Sequence, residues 1–127
     1  MPTLSIAEVK TDSFRADARK GSSGDDLFLV LHGSADKVVF KKFEGFLSEV
    51  HDYVRTYRTR EVVFDLQDLF FVDSSSLSLF LRLDNLVAKL KPEYRCVLRF
   101  RLNPRLSWQK KSFSALSKTS MGTITVE

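Results

Sequence analysis

At 127 residues, 43% of them apolar with eleven Phe and 28% charged, the chain is large enough for one core and too apolar to be disordered. Cys96 is the only cysteine, which excludes an internal disulfide and a thiolate metal cluster, and no apolar run reaches the ~20 residues of a membrane helix. The net charge of +4 is uneven: residues 1–90 hold 12 Lys/Arg against 14 Asp/Glu and residues 91–127 hold 8 against 2, so an acidic partner would meet the C-terminal third.

In chain order, Thr3 to Val9 reads as a short strand, and the polar stretch Asp12 to Asp26, with Gly21-Ser22-Ser23-Gly24, as a loop or turn. The N-terminus lacks the basic start and apolar core of a signal peptide, so the expected location is cytoplasmic. Leu27 to Leu31 is a continuous apolar run ending at Gly33, the pattern of a strand buried on both faces. Val39, Phe43, Phe46, Leu47, Val50 and Val54 then share one face of an amphipathic helix beginning near Asp36. Glu61 to Leu66 reads as the next strand, and Leu77 to Leu90 carries helical spacing. Between them, Phe71-Val72-Asp73-Ser74-Ser75-Ser76 marks a buried strand giving way to a helix, with Asp73 or Ser74 as its N-cap. Free backbone N–H groups and the helix dipole at such a start favour a phosphate as well as a cap.

Arg95 to Leu102 alternates, with Cys96, Leu98, Phe100 and Leu102 on one side and Arg95, Val97, Arg99 and Arg101 on the other. Cys96 in that strand reads as a core residue. Asn103-Pro104 reads as the cap and first residue of a last helix with Leu106, Phe113 and Leu116 inward, and Thr123 to Val126 as a final strand. Strand–helix–strand crossovers stepping in one direction put their helices together. The expected fold class is therefore α/β: a mixed, mostly parallel sheet of about five strands with its helices on one face.

No catalytic or metal constellation stands out. His32 and His51 have no ligand spacing, the five glycines form no phosphate loop, and no nucleophile elbow surrounds a serine. The chain therefore reads as non-enzymatic, with no catalytic residues, no metal and no cofactor. On a helical wheel, Ser74, Ser75, Ser78, Arg82, Asn85 and Lys89 share a polar sector bordered by Leu79 and Leu86, which become candidate apolar contacts for a docked partner. Asp84 falls inside the apolar arc and requires a partner. The surplus apolar surface leaves a homodimer open. The Arg95/Arg99/Arg101 row suits RNA or anionic lipid, but it lacks interleaved stacking aromatics and can instead pair with acids of adjacent strands, so nucleic acid ranks low among partners.

Leu31-His32-Gly33-Ser34-Ala35-Asp36 resembles the l-x-G-x-x-D turn of the STAS family, the domain shared by sulphate transporters and bacterial anti-sigma factor antagonists. Val63-Phe64-Asp65-Leu66 through Phe71-Val72-Asp73-Ser74-Ser75 resembles the family's v-x-D-L … f-x-D-S-S-G segment, and the likeness covers about residues 27–126. Ser76 and Ser78 stand where the family has glycines, and the basic C-terminal third also differs from many antagonists.

The resemblance implies a single STAS-like domain over residues 1–127, with residues 1–26 preceding the family-like core. It implies an anti-sigma factor antagonist that binds a serine kinase of the histidine-kinase-like ATPase fold, often itself the anti-sigma factor, and is served by a phosphatase. Ser74 would be the phosphoacceptor, with Ser75 as second choice. The partner surface would comprise Asp73, Ser74, Ser75, Ser76, Ser78, Leu79, Arg82 and Leu86, joined by Gly33 and Asp36. The alternative reading is a constitutive STAS subunit of a membrane transport complex, with the same helix as a fixed interface.

Overall fold

The computed structural model describes residues 6–21, 24–120 and 122–127. Its sheet is built of β1 (Val9–Lys10), β2 (Phe14–Lys20), β3 (Asp26–Ala35), β4 (Glu61–Val72), β5 (Val97–Arg101) and β6 (Ile124–Val126), in that spatial order. The β1–β2 and β2–β3 pairings are antiparallel, whereas β3–β4, β4–β5 and β5–β6 are parallel. Helices α1 (Phe40–Thr56), α2 (Ser74–Ala88) and α3 (Ser107–Thr119) supply the crossovers. The mixed α/β architecture is the expected one, with six strands among the described residues where about five were expected.

The core lies on one face of the sheet. Leu27, Leu29 and Leu31 of β3, Val62, Phe64 and Leu66 of β4, and Leu98 and Phe100 of β5 are buried there with Phe43, Phe46 and Val50 of α1 and Phe80, Leu83 and Val87 of α2. Phe80 is the hub, edge-on to Phe43, Phe64, Phe100 and Phe113 at centroid distances of 5.4, 5.5, 5.4 and 5.4 Å. One ring of α2 thus bears on α1, two strands and α3, and this holds the start of α2 against the sheet. Cys96 is buried at the foot of β5, and burial pushes its thiol up to about 12, so it is protonated at neutral pH and inert as a nucleophile.

Several expectations are corrected. The stretch read as a loop contains β2: Phe14 and Ala16 are buried and Ala18 packs on the core, while the alternate Arg15, Asp17 and Arg19 face outward. Thr3, Leu4, Ser5, Ser22 and Ser23 lie outside the described residues, and among the described residues the first strand is Val9–Lys10. β3 is buried on one face, with Phe28 and Val30 only half-covered on the other, and it runs past Gly33 to Ala35. The helix expected near Asp36 starts at Phe40. Asp36 forms an Asx turn instead, its Oδ1 accepting from Val38 N at 3.0 Å. Likewise α3 starts at Ser107, and Asn103 Oδ1 accepts from Arg105 N at 2.9 Å in a turn before the helix.

The length of β4 shapes one end of the molecule. Its pairing with β5 ends at Asp65–Arg101, whereas its pairing with β3 continues to Ala35–Val72. The edge left beyond Asp65 is satisfied by side chains. Fully buried Gln109 of α3 donates from Nε2 to Leu66 O at 2.7 Å and to Leu69 O at 2.9 Å, and its Oε1 accepts from Asn103 N at 2.7 Å. Gln67 and Asn103 add bonds to Leu102 O and Gln67 O, each of 2.8 Å.

Candidate functional site

The β4–α2 turn is set by its cap. Asp73 is extended, with φ −79° and ψ 171°, and its Oδ1 accepts from Ser76 N at 2.8 Å, which makes Asp73 the N-cap and Ser74 the first helical residue. Asp73 N donates to Ala35 O at 3.0 Å, tying the start of α2 to the end of β3. The Gly33–Asp36 segment and the Asp73–Ser76 turn are therefore neighbours.

Gly33 has a structural part in this arrangement. Its φ of +94° lies in the glycine region, and a Cβ there would fall 2.1 Å from Ser13 O. That same carbonyl accepts from Ser34 N at 2.8 Å, so β2 and the end of β3 are held in contact across Gly33.

Around the turn, Ser74, Ser75 and Ser78 are exposed. Ser78 Oγ donates to Ser75 O at 2.6 Å, leaving the hydroxyls of Ser74 and Ser75 as the accessible ones. Ser76 is fully buried and its Oγ has no hydrogen-bond partner among the described residues, so it offers a docked protein no contact. Leu79 is buried at the seam with α1, whereas Leu86 is 37% exposed. Of the two leucines bordering the polar sector, only Leu86 presents apolar surface, because α1 crosses over Leu79. Arg82 Nη1 meets Glu44 Oε2 of α1 at 2.6 Å, an exposed pair worth at most about 1 kcal/mol that leaves the guanidinium at the surface. Asp84, fully buried, accepts a hydrogen bond from the Thr123 hydroxyl, which supplies the partner its position demanded.

Three features at this site escaped the sequence. Phe71, read as buried, is 50% exposed and Phe70 is 52% exposed, because the end of β4 projects beyond β5 and one face there has no cover. Val38, in the lead-in to α1, is 87% exposed. Lys37, Phe40 and Lys41 line a shallow groove with Asp73 and Ser75, so two ammonium groups flank the hydroxyl-bearing turn. The groove beside Ser75 thus combines two ammonium groups, the Asp73 carboxylate and the Phe40 ring.

The Arg row takes the structural alternative. Arg99 Nη2 lies 2.6 Å from Glu61 Oε2, Arg101 Nε lies 3.3 Å from Glu127 Oε1, and the Arg101 guanidinium sits 5.7 Å from the Phe28 ring centre. Arg95 turns away to donate to Leu90 O at 2.9 Å. These bonds engage Arg99 and Arg101 within the helix-free face of the sheet. Among the described residues no group of three His, Cys, Asp or Glu is placed to hold a metal ion, and no helix is long and apolar enough to cross a membrane.

Asp73→Ala is expected to lower stability by about 1 kcal/mol through loss of the cap, or about 4 °C in Tm. Asp73→Ser, which keeps an acceptor, should stay near wild type. Equal melting temperatures for Asp73→Ala and wild type would contradict the capping geometry.

No family model matches the chain, and no curated protein matches it. Among solved structures it is similar to an anti-sigma factor antagonist from Mycobacterium paratuberculosis, at 17% identity and a TM-score of 0.65 over 88% of this chain and 86% of that one. It is also similar to the anti-sigma factor antagonist SpoIIAA in its unphosphorylated form, at 17% identity and a TM-score of 0.54 over 88% of this chain and 87% of that one. Identity this low speaks for the fold alone. The chain has the STAS-domain fold of these anti-sigma factor antagonists.

Proposed function

We propose that this protein is a non-enzymatic, phosphorylation-switched interaction module of the anti-sigma factor antagonist kind. It docks a protein partner through the start of α2 and the exposed Ser74, Ser78, Arg82 and Leu86 face, and phosphorylation of Ser74 turns docking off. The partner is a serine kinase of the histidine-kinase-like ATPase fold acting as anti-sigma factor, and a phosphatase restores the free hydroxyl. The observation that carries this reading is the exposed Ser74 at the first position of an Asp-capped helix, in a fold shared with anti-sigma factor antagonists. Support also comes from SpoIIAA, an antagonist whose structure is that of its unphosphorylated form.

The chemistry of the switch follows from charge. A phosphate adds about −1.5 to −2 charges and three acceptor oxygens. At the first residue of α2 it meets free backbone N–H groups and the positive end of the helix dipole, so the fold tolerates it. A docked surface carrying acids would repel it, and the neighbouring Asp73 carboxylate strengthens that repulsion. In the unphosphorylated state, the hydroxyl of Ser74 is small and neutral, and the exposed Phe71, Val38 and Leu86 can be covered by a partner.

The test is comparative capture of partners from the native host with wild type, Ser74→Ala and Ser74→Asp. Wild type and Ser74→Ala are expected to retain the same kinase-like partner, and Ser74→Asp to lose about 90% or more of it, which is a tenfold loss of affinity or about 1.4 kcal/mol. Equal capture by Ser74→Asp and wild type contradicts the proposal.

A further inference from the structure

The strongly basic C-terminal third has no part in the reading above. Beyond the ends of β5 and β6, α3 forms one wall of an open groove of about 1030 Å³. Half-buried Leu102, Leu106 and Val126 line it, together with Ala115. Lys111, Ser114, Ala115 and Lys118 follow one another at i, i+3, i+4 and i+7, and Lys110 sits beside them, so three ammonium groups rise from a single helix face along the apolar lining.

Two facts about charge define what would fill it. Lys110, Lys111 and Lys118 take part in no ion pair among the described residues. The one acid lining the groove, Glu127, is already engaged by Arg101 at 3.3 Å and Arg99 at 3.9 Å. The groove therefore carries an uncompensated positive wall next to an apolar lining. We propose that it binds an acidic, amphipathic segment of a protein partner, with carboxylates on the three lysines and alternate apolar side chains against Leu102, Leu106 and Val126.

The shape selects a peptide over a membrane. The apolar lining is recessed between α3 and the sheet end, and a planar bilayer reaches only protruding apolar side chains. From Ser107 to Lys118 the wall spans about 16 Å at 1.5 Å per residue, the length of about five extended residues at 3.3 Å each. Among the described residues β6 is the end strand of the sheet, with its outer edge unpaired, so a neighbouring chain also finds open backbone groups there. This site is separate from the Ser74 turn and does not depend on its modification.

The test uses a fluorescein-labelled octapeptide of alternating Glu and Leu, with alternating Glu and Ser as control and phosphatidylserine vesicles as the membrane probe, all in about 0.15 M salt. The Glu/Leu peptide is expected to bind, with amide shift changes confined to the ends of β5 and β6 and to α3. Exposed ion pairs are individually weak, so it takes the exposed triple replacement Lys110→Glu/Lys111→Glu/Lys118→Glu to weaken binding about tenfold. The Glu/Ser peptide should bind about tenfold more weakly to wild type. The Ser74→Asp variant should bind the Glu/Leu peptide as wild type does. The proposal is overturned if the Glu/Leu peptide fails to bind, if the triple variant binds it unchanged, if Glu/Ser binds equally well, or if the vesicles bind and the peptide does not. Lys118→Glu alone, at an exposed position, keeps the test valid should the triple variant unfold.

Discussion

Gly33→Ala is expected to be the most damaging small substitution in the chain, costing about 3–5 kcal/mol. Two separate costs combine in it. Holding a side-chain-bearing residue at φ +94° strains the backbone by about 1–3 kcal/mol. The new methyl would also stand 2.1 Å from Ser13 O and 3.0 Å from Ser13 C, both backbone atoms, so β2 must move as a unit. That movement breaks the Ser34–Ser13 bond and unseats buried Phe14 from Phe43, adding about 1–3 kcal/mol of overpacking cost. With a native stability of about 5–15 kcal/mol, the variant should melt at least about 12 °C lower. Thermal and denaturant unfolding of purified Gly33→Ala measures this. A loss under about 1 kcal/mol would mean that β2 does not press on β3 there.

The second large effect is expected at Gln109, which sequence inspection would pass over as a surface polar residue. Gln109→Leu keeps the volume and removes three hydrogen bonds at once, leaving Leu66 O, Leu69 O and Asn103 N without their side-chain partner. Each buried backbone group left unpaired costs about 1–3 kcal/mol, partly offset by the added apolar burial, so a net loss of about 3 kcal/mol and about 12 °C in Tm is expected. The same change should loosen the free end of β4, which carries the Asp73 turn. Hydrogen exchange of the β4 amides separates the two effects: faster exchange near Leu69 is expected, with protection in β3 beside Leu29 falling only by the global loss.

What was legible in the sequence was local and periodic. The α1 face of Val39, Phe43, Phe46, Leu47, Val50 and Val54 is buried throughout, the alternation of β5 holds, and residue types alone narrowed the cap to Asp73 or Ser74, of which the structure has Asp73. β2 was missed because its inward residues after Phe14 are two alanines set among charges, a weak version of the strand pattern. The remaining misses are non-local. Whether Leu79 or Leu86 is covered depends on where α1 crosses α2, and the exposure of Phe71 and the burial of Gln109 both depend on β4 outrunning β5. No spacing within a helix or strand encodes the length of its neighbour. At the site, the hydroxyl cluster and its position were legible, whereas the flanking Lys37 and Lys41 required the α1 lead-in to fold back beside Asp73.

The measurement that tests the central claim most directly is intact-mass analysis with peptide mapping of the protein isolated from its native host under several growth conditions. The account predicts a fraction carrying one phosphate, mapped to Ser74 and absent from the Ser74→Ala protein. A phosphate confined to another residue, or none under any condition, would contradict it.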